Sequence, residues 1–103
     1  MKKQLSENQL ISLYRGFYIF GDTASLKILY ELERFGEKTF SELRDELEIN
    51  PTTLTKKLKL LVETGLVVAD RTHDHLRVYY SINSNRKPLK RFLDSLERLA
   101  GEL

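Results

Sequence analysis

Between Pro51 and Leu60 the chain reads Pro-Thr-Thr-Leu-Thr-Lys-Lys-Leu-Lys-Leu, three hydroxyls and three ammonium groups threaded through leucines. Hydroxyls can bond to phosphates or to base edges, and lysines neutralise phosphates, so the chemistry available is recognition of a polyanion. Spacing decides which groups act together. On a helix turning about 100° per residue, Leu54, Leu58 and Leu61 form one inner stripe. Thr52, Lys56 and Lys59 then project from the opposite side, with Thr53 and Thr55 flanking them. Lys57 falls nearer the core edge and suits a phosphate contact, while Glu63 shares the outer face about two turns further on.

A second polar cluster is Arg71-Thr72-His73-Asp74-His75, followed by Arg77. On a hairpin tip, Arg71 and Arg77 would bracket His73 and His75 where a β-ribbon meets a nucleic-acid backbone or minor groove. The competing interpretation is an ordinary solvated turn. Two imidazoles and one carboxylate fall short of the four ligands of a structural zinc site, so no metal and no cofactor are expected. Catalysis is not expected either. There is no glycine-rich phosphate loop, nucleophile elbow or paired-carboxylate pocket, and Glu42, Asp45, Glu46 and Glu48 read as the outer face of a short helix.

The composition narrows the class further. The chain has 103 residues, 41% of them apolar and none of them cysteine, which excludes disulfides, thiol chemistry and cysteine-type zinc sites. No apolar run approaches the ~18 residues of a membrane span. Met1-Lys2-Lys3-Gln4 leads into polar residues without the apolar region of a signal peptide, so a cytoplasmic, nucleoid-associated protein is expected. The net charge of +2 hides an asymmetry: residues 21–50 hold eight acids and four bases, residues 51–91 nine bases and three acids. A basic stretch behind an acidic one concentrates positive field on one part of the fold.

Five helices and two strands must position these groups. Ser6-Glu7-Asn8-Gln9 has capping-box spacing and opens a first helix that stops at Gly21. Asp22 suits the N-cap of a second helix ending at Gly36, and Thr39-Phe40-Ser41-Glu42 opens a short third one. Asn50 and Pro51 suit the cap and first position of a fourth, running to about Thr64 before Gly65. Val67-Val68-Ala69 is β-branched, and Leu76, Val78, Tyr80 and Ile82 alternate with Arg77, Tyr79 and Ser81 as a strand. Asn83-Ser84-Asn85 breaks that strand and starts a final helix, with Pro88 in its first turn. Leu89, Phe92 or Leu93, Leu96, Leu99 or Ala100, and Leu103 give that helix a heptad-like seam.

This order predicts a mainly α fold with a small β-hairpin (α+β), a winged helix-turn-helix with N- and C-terminal dimerisation helices. Residues 24–82 resemble the MarR/ArsR-type winged-helix transcriptional regulators, most closely the HxlR-like group. The resemblance is carried by Leu26-Lys27-Ile28-Leu29, Thr39-Phe40-Ser41-Glu42-Leu43, Asn50-Pro51, Leu54-Thr55, Leu58, Leu61, Gly65-Leu66-Val67 and Arg77-Val78-Tyr79-Tyr80-Ser81-Ile82. It departs from HxlR-like chains in a shorter wing and in lacking the usual tryptophan of the second helix and the frequent cysteine near the start. The resemblance implies a recognition helix at about 51–64, a wing at about 70–77, and homodimers joined through terminal helices.

The expectation is therefore one winged-helix domain over residues 1–103. Residues 22–82 would be its DNA-binding core, with 6–20 and 86–103 as dimerisation helices. Leu10, Leu13, Tyr14, Phe17, Tyr18, Leu89, Phe92, Leu93, Leu96, Leu99 and Leu103 are the expected interface, since they exceed what one small core absorbs. The expected partners are double-stranded DNA and a second copy of the chain. A winged-helix protein-interaction module and a non-specific architectural DNA-binding protein are the alternatives.

Overall fold

The helix boundaries follow from side chains that satisfy the orphan amides of each first turn. In the computed structural model, which describes residues 4–71 and 76–103, α1 spans Glu7–Phe20. Its N-cap Ser6 Oγ accepts from the Gln9 amide at 3.1 Å, while Gln9 Oε1 accepts from the Ser6 amide at 2.7 Å. Asp22 caps α2 (Thr23–Phe35) by accepting from the Ser25 amide at 2.8 Å. Thr39 and Glu42 form the reciprocal box of α3 (Phe40–Leu47), at 3.3 and 2.9 Å. Asn50 accepts from the Thr52 amide at 2.8 Å at the head of α4 (Pro51–Glu63), where Pro51 needs no amide partner. Each cap contributes about 1 kcal/mol.

Among the described residues the sheet has three strands rather than the expected two. β1 (Lys38–Thr39), β2 (Val67–Asp70) and β3 (Tyr79–Ile82) lie in the order β1-β3-β2, all antiparallel. Val67 pairs with Ile82 and Asp70 with Tyr79, while Lys38 and Thr39 pair with Tyr80 and Tyr79. Two residues carry no readable period, which is why β1 escapes the sequence pattern. Lys38 is held there by Glu46 at 2.9 Å and Glu31 at 3.7 Å. Both ladders stop at Tyr79, so β3 starts there, and Leu76 is 92% exposed instead of lying on an inner strand face.

The chain beyond β3 closes the C-terminus of α4. Gly65 takes φ +78°, and its carbonyl accepts from Asn83 Nδ2 at 2.8 Å and Arg86 Nε at 3.3 Å. Arg86 also donates to the Thr64 carbonyl at 3.3 Å. Asn83 is thereby spent on this corner and on the Asn85 amide at 3.0 Å, so it does not start the last helix. That helix, α5, is Pro88–Ala100, with Lys87 at its N-cap position and no side-chain cap.

The core lies between α2, α3, α4 and the sheet, built from Ile28, Leu29, Leu32, Leu43, Leu54, Leu58, Leu61 and Val67. Two residues expected at a subunit interface belong to it as well. Leu89 and Leu93 of α5 are 4% and 0% exposed, because the Tyr30 hydroxyl donates to the Leu93 carbonyl at 2.7 Å and draws α5 onto α2. Lys90–Glu33 at 2.6 Å and Arg34–Glu97 extend the same seam. α1 buries only Ile19 along its 14 residues. The radius of gyration of 15.2 Å and long axis of 57 Å mark an elongated subunit, since a compact chain of this length has a radius near ~13 Å.

Candidate nucleic-acid interface

The structure puts the expected inner and outer faces of α4 on opposite sides. Leu54, Leu58 and Leu61 are at most 2% exposed, and Thr52, Thr55, Lys56 and Lys59 are exposed, with Thr53 half-buried beside them. Thr55 Oγ1 donates to the Pro51 carbonyl at 2.9 Å, which uses its proton and leaves its acceptor lone pairs outward. Lys59 lies 4.0 Å from Glu63, an exposed helix pair of little energetic weight. Lys56 has no ion pair among the described residues. Its charge and that of Lys59 are therefore open to a larger anion.

Lys57 does not share that face. Its ammonium lies 3.3 Å from Asp22 Oδ1 and 6.0 Å from the centre of the Tyr18 ring, at the corner between α1 and α2. Partial burial pushes the Asp22 carboxyl up, but the Ser25 hydrogen bonds and Lys57 outweigh it and hold the pKa below its ordinary value. Lys57, expected as a phosphate contact, already has an internal anion in the isolated subunit. It sits one position off the outward row, on the side of α4 that packs towards α2.

The hairpin supplies the second wall. Arg71, just after β2, and Arg77, just before β3, are exposed, and His73 and His75 lie outside the described residues. A cleft of about 370 Å³ separates α4 from the hairpin, bordered by Thr55, Lys59, Glu63 and Arg71 over a floor of Leu58 and Tyr80. A second, of about 750 Å³, runs from Ser41 on the first turn of α3 to Arg77 and Tyr79. The structure therefore gathers hydroxyl, ammonium and guanidinium groups from α3, α4 and the hairpin around two adjoining grooves. Ser41 was legible only as part of a capping box; its place just after the N-cap is the signal that would have exposed it.

The terminal helices leave an apolar surface elsewhere. Leu10, Leu13, Tyr14, Phe17 and Tyr18 of α1 are exposed, as are Phe92, Leu99 and Leu103, with Leu96 half-buried. Leu5 and Ile11 add to it beyond the expected set. Phe20 and Phe92 meet with ring centroids 4.7 Å apart and join α1 to α5. Beside them an almost wholly apolar cleft of about 430 Å³ is lined by Leu13, Gly16, Phe17, Phe20, Phe92 and Leu96.

Residues 22–68 match the family model described as bacterial regulatory protein, arsR family. No curated protein matches the chain. Among solved structures, the AntR antimony-specific transcriptional repressor superposes with a TM-score of 0.78 at 18% identity, covering 98% of this chain and 87% of that one. A putative MarR-family transcriptional regulator from Enterococcus faecalis gives 0.77 at 22%, covering 98% and 93%. The homodimeric winged helix-turn-helix DNA-binding domain of a possible ArsR-family regulator from Mycobacterium bovis gives 0.75 at 26%, covering 99% and 92%. All three span the terminal helices as well as the matched segment, and none of them singles out the HxlR-like group. Over residues 22–68 the chain is similar to the arsR family of bacterial regulatory proteins, and its fold is that of a winged helix-turn-helix.

Proposed function

We propose that the chain is one half of a homodimeric repressor or activator that binds an inverted repeat in double-stranded DNA. Residues 22–82 form its DNA-binding part, α4 enters the major groove, and the hairpin follows the backbone or the minor groove. One observation carries this reading: Thr52, Thr55, Lys56 and Lys59 point jointly into solvent while Leu54, Leu58 and Leu61 of the same helix are sealed in the core. The neutral partners reach base edges and the cations reach phosphates. The bare apolar face of α1 supports pairing through α1 and the outer side of α5, and the Mycobacterium bovis relative is itself homodimeric. Two recognition helices related by a two-fold axis reach successive major grooves about 34–36 Å apart. No catalytic role is assigned, and the place of action is the cytoplasmic nucleoid.

Selection from a random duplex library tests the proposal, followed by titration of the selected site at several salt concentrations. An inverted repeat with half-sites one helical turn apart is expected. Lys56→Ala and Lys59→Ala should each lower the slope of log K against log salt by about one unit. Slopes unchanged in both variants would refute this face as the DNA contact. Binding with no sequence preference would favour an architectural protein, and no binding at micromolar protein an interaction module.

A further inference from the structure

We propose that Lys57 is a positioning residue that ties the pairing face of a subunit to the orientation of its own recognition helix, and is not a phosphate ligand. This rests on the DNA-binding and dimer proposals above and adds to them a physical link between the two surfaces.

The link is built from one residue on each of three helices. Lys57 belongs to α4, and its ammonium sits between Asp22 Oδ1 at 3.3 Å and the face of Tyr18 at 6.0 Å. Asp22 is fixed in turn, because its other oxygen accepts from the Ser25 amide at 2.8 Å as the N-cap of α2. Tyr18 closes the chain of contacts on the far side. It is 68% exposed, on the part of α1 that a second copy would cover, next to Phe17. The Lys57 and Asp22 side chains are only 23% and 29% exposed, so much of their hydration is already lost in the isolated subunit. Covering Tyr18 removes water from the remaining side and strengthens both the ion pair and the cation–ring contact. Pairing thus stiffens the corner against which α4 is set. The angle of α4 to the two-fold axis fixes the distance between the two recognition helices, and hence which half-site spacing fits.

A phosphate ligand and a positioning residue leave different marks. Replacing a phosphate ligand lowers the salt slope by about one unit and leaves spacing preference intact. Replacing a positioning residue leaves the slope alone and blurs the spacing. The test uses the full chain with Lys57→Met, which keeps the apolar stem, and Lys57→Arg, which keeps the charge. Asp22→Asn is the second variant, because asparagine still caps α2 while the full anion is lost. Dimer dissociation constants come from sedimentation. Duplex affinities are measured on the selected inverted repeat and on repeats with the spacer changed by one or two base pairs.

For Lys57→Met and Asp22→Asn, the dimer constant is expected to weaken roughly three- to tenfold. Discrimination between correct and altered spacers should fall by a similar factor, the salt slope should stay at its wild-type value, and Lys57→Arg should restore both. A slope lowered by about one unit with spacer discrimination intact would make Lys57 a phosphate ligand and overturn the proposal. Wild-type values throughout would overturn it equally. Failure of the underlying readings looks different: a wild-type chain that binds no duplex removes the DNA proposal but leaves the dimer constants to decide the link. A wild-type monomer at tens of micromolar removes the dimer and the link together.

Discussion

Asp22 does two jobs at the α1–α2 corner, capping α2 through the Ser25 amide and neutralising Lys57 on α4. Its carboxyl is raised by burial but lowered further by those hydrogen bonds and that cation, so its folded pKa lies under the ordinary 3.8. The sign follows from linkage: the native state holds this group ionised more strongly than the unfolded chain does. The stabilisation is complete above the unfolded value and disappears as the pH falls through the folded one. Asp22→Asn removes this titration, so the acid limb of its stability curve below about pH 4 should be flatter than the wild type's. Chemical denaturation at a series of pH values reads this directly, and parallel limbs would show that the carboxylate contributes nothing. Residue types alone correctly marked Thr52, Lys56 and Lys59 as outward. They also set Lys57 nearer the core edge, where it lies, but the helical wheel gives an azimuth and not the neighbouring Asp22.

Among the elements, α1 to α4 were legible because each starts on a side chain that satisfies its first-turn amides, and α1, α2 and α4 stop near a glycine. Where the local signal was weak, the tertiary structure decided. β1 has only Lys38 and Thr39, and its position depends on Tyr79 and Tyr80 some forty residues later. The alternation from Leu76 to Ile82 looked continuous, yet among the described residues β3 begins at Tyr79. Asn83 resembles a helix cap by type, but the carbonyl of Gly65 claims its side chain. That corner yields a prediction about α4. Gly65 lies at φ +78°, and a β-carbon there would stand 2.7 Å from the Arg86 guanidinium. Gly65→Ala should cost about 1–2 kcal/mol, from the left-handed backbone and from displacing Arg86 off the Thr64 and Gly65 carbonyls. Urea denaturation would check this, and a loss under about 0.3 kcal/mol would mean that Arg86 moves aside freely.

On the scale of the whole molecule, the sequence marked a surplus of apolar surface but not its division. Leu89 and Leu93 went to the subunit's own core, whereas Phe17, Tyr14 and Leu99 stayed outside. A heptad seam on α5 cannot show which of its sides faces α2, since both sides are leucine-rich. If α1 is the pairing face, Phe17→Glu should give a monomer by sedimentation at tens of micromolar. It should retain a cooperative thermal transition, because the core between α2, α3, α4 and α5 does not involve that ring. A stable dimer in that variant would move the interface elsewhere. The exposure of α1 has one more consequence. If it pairs as proposed, a helix that buries only Ile19 on its own subunit would gain stability by mass action, so the melting temperature should climb with protein concentration. Occupancy of DNA would then vary more steeply than in proportion to the amount of chain, and dilution alone would free a promoter without any small molecule being sensed.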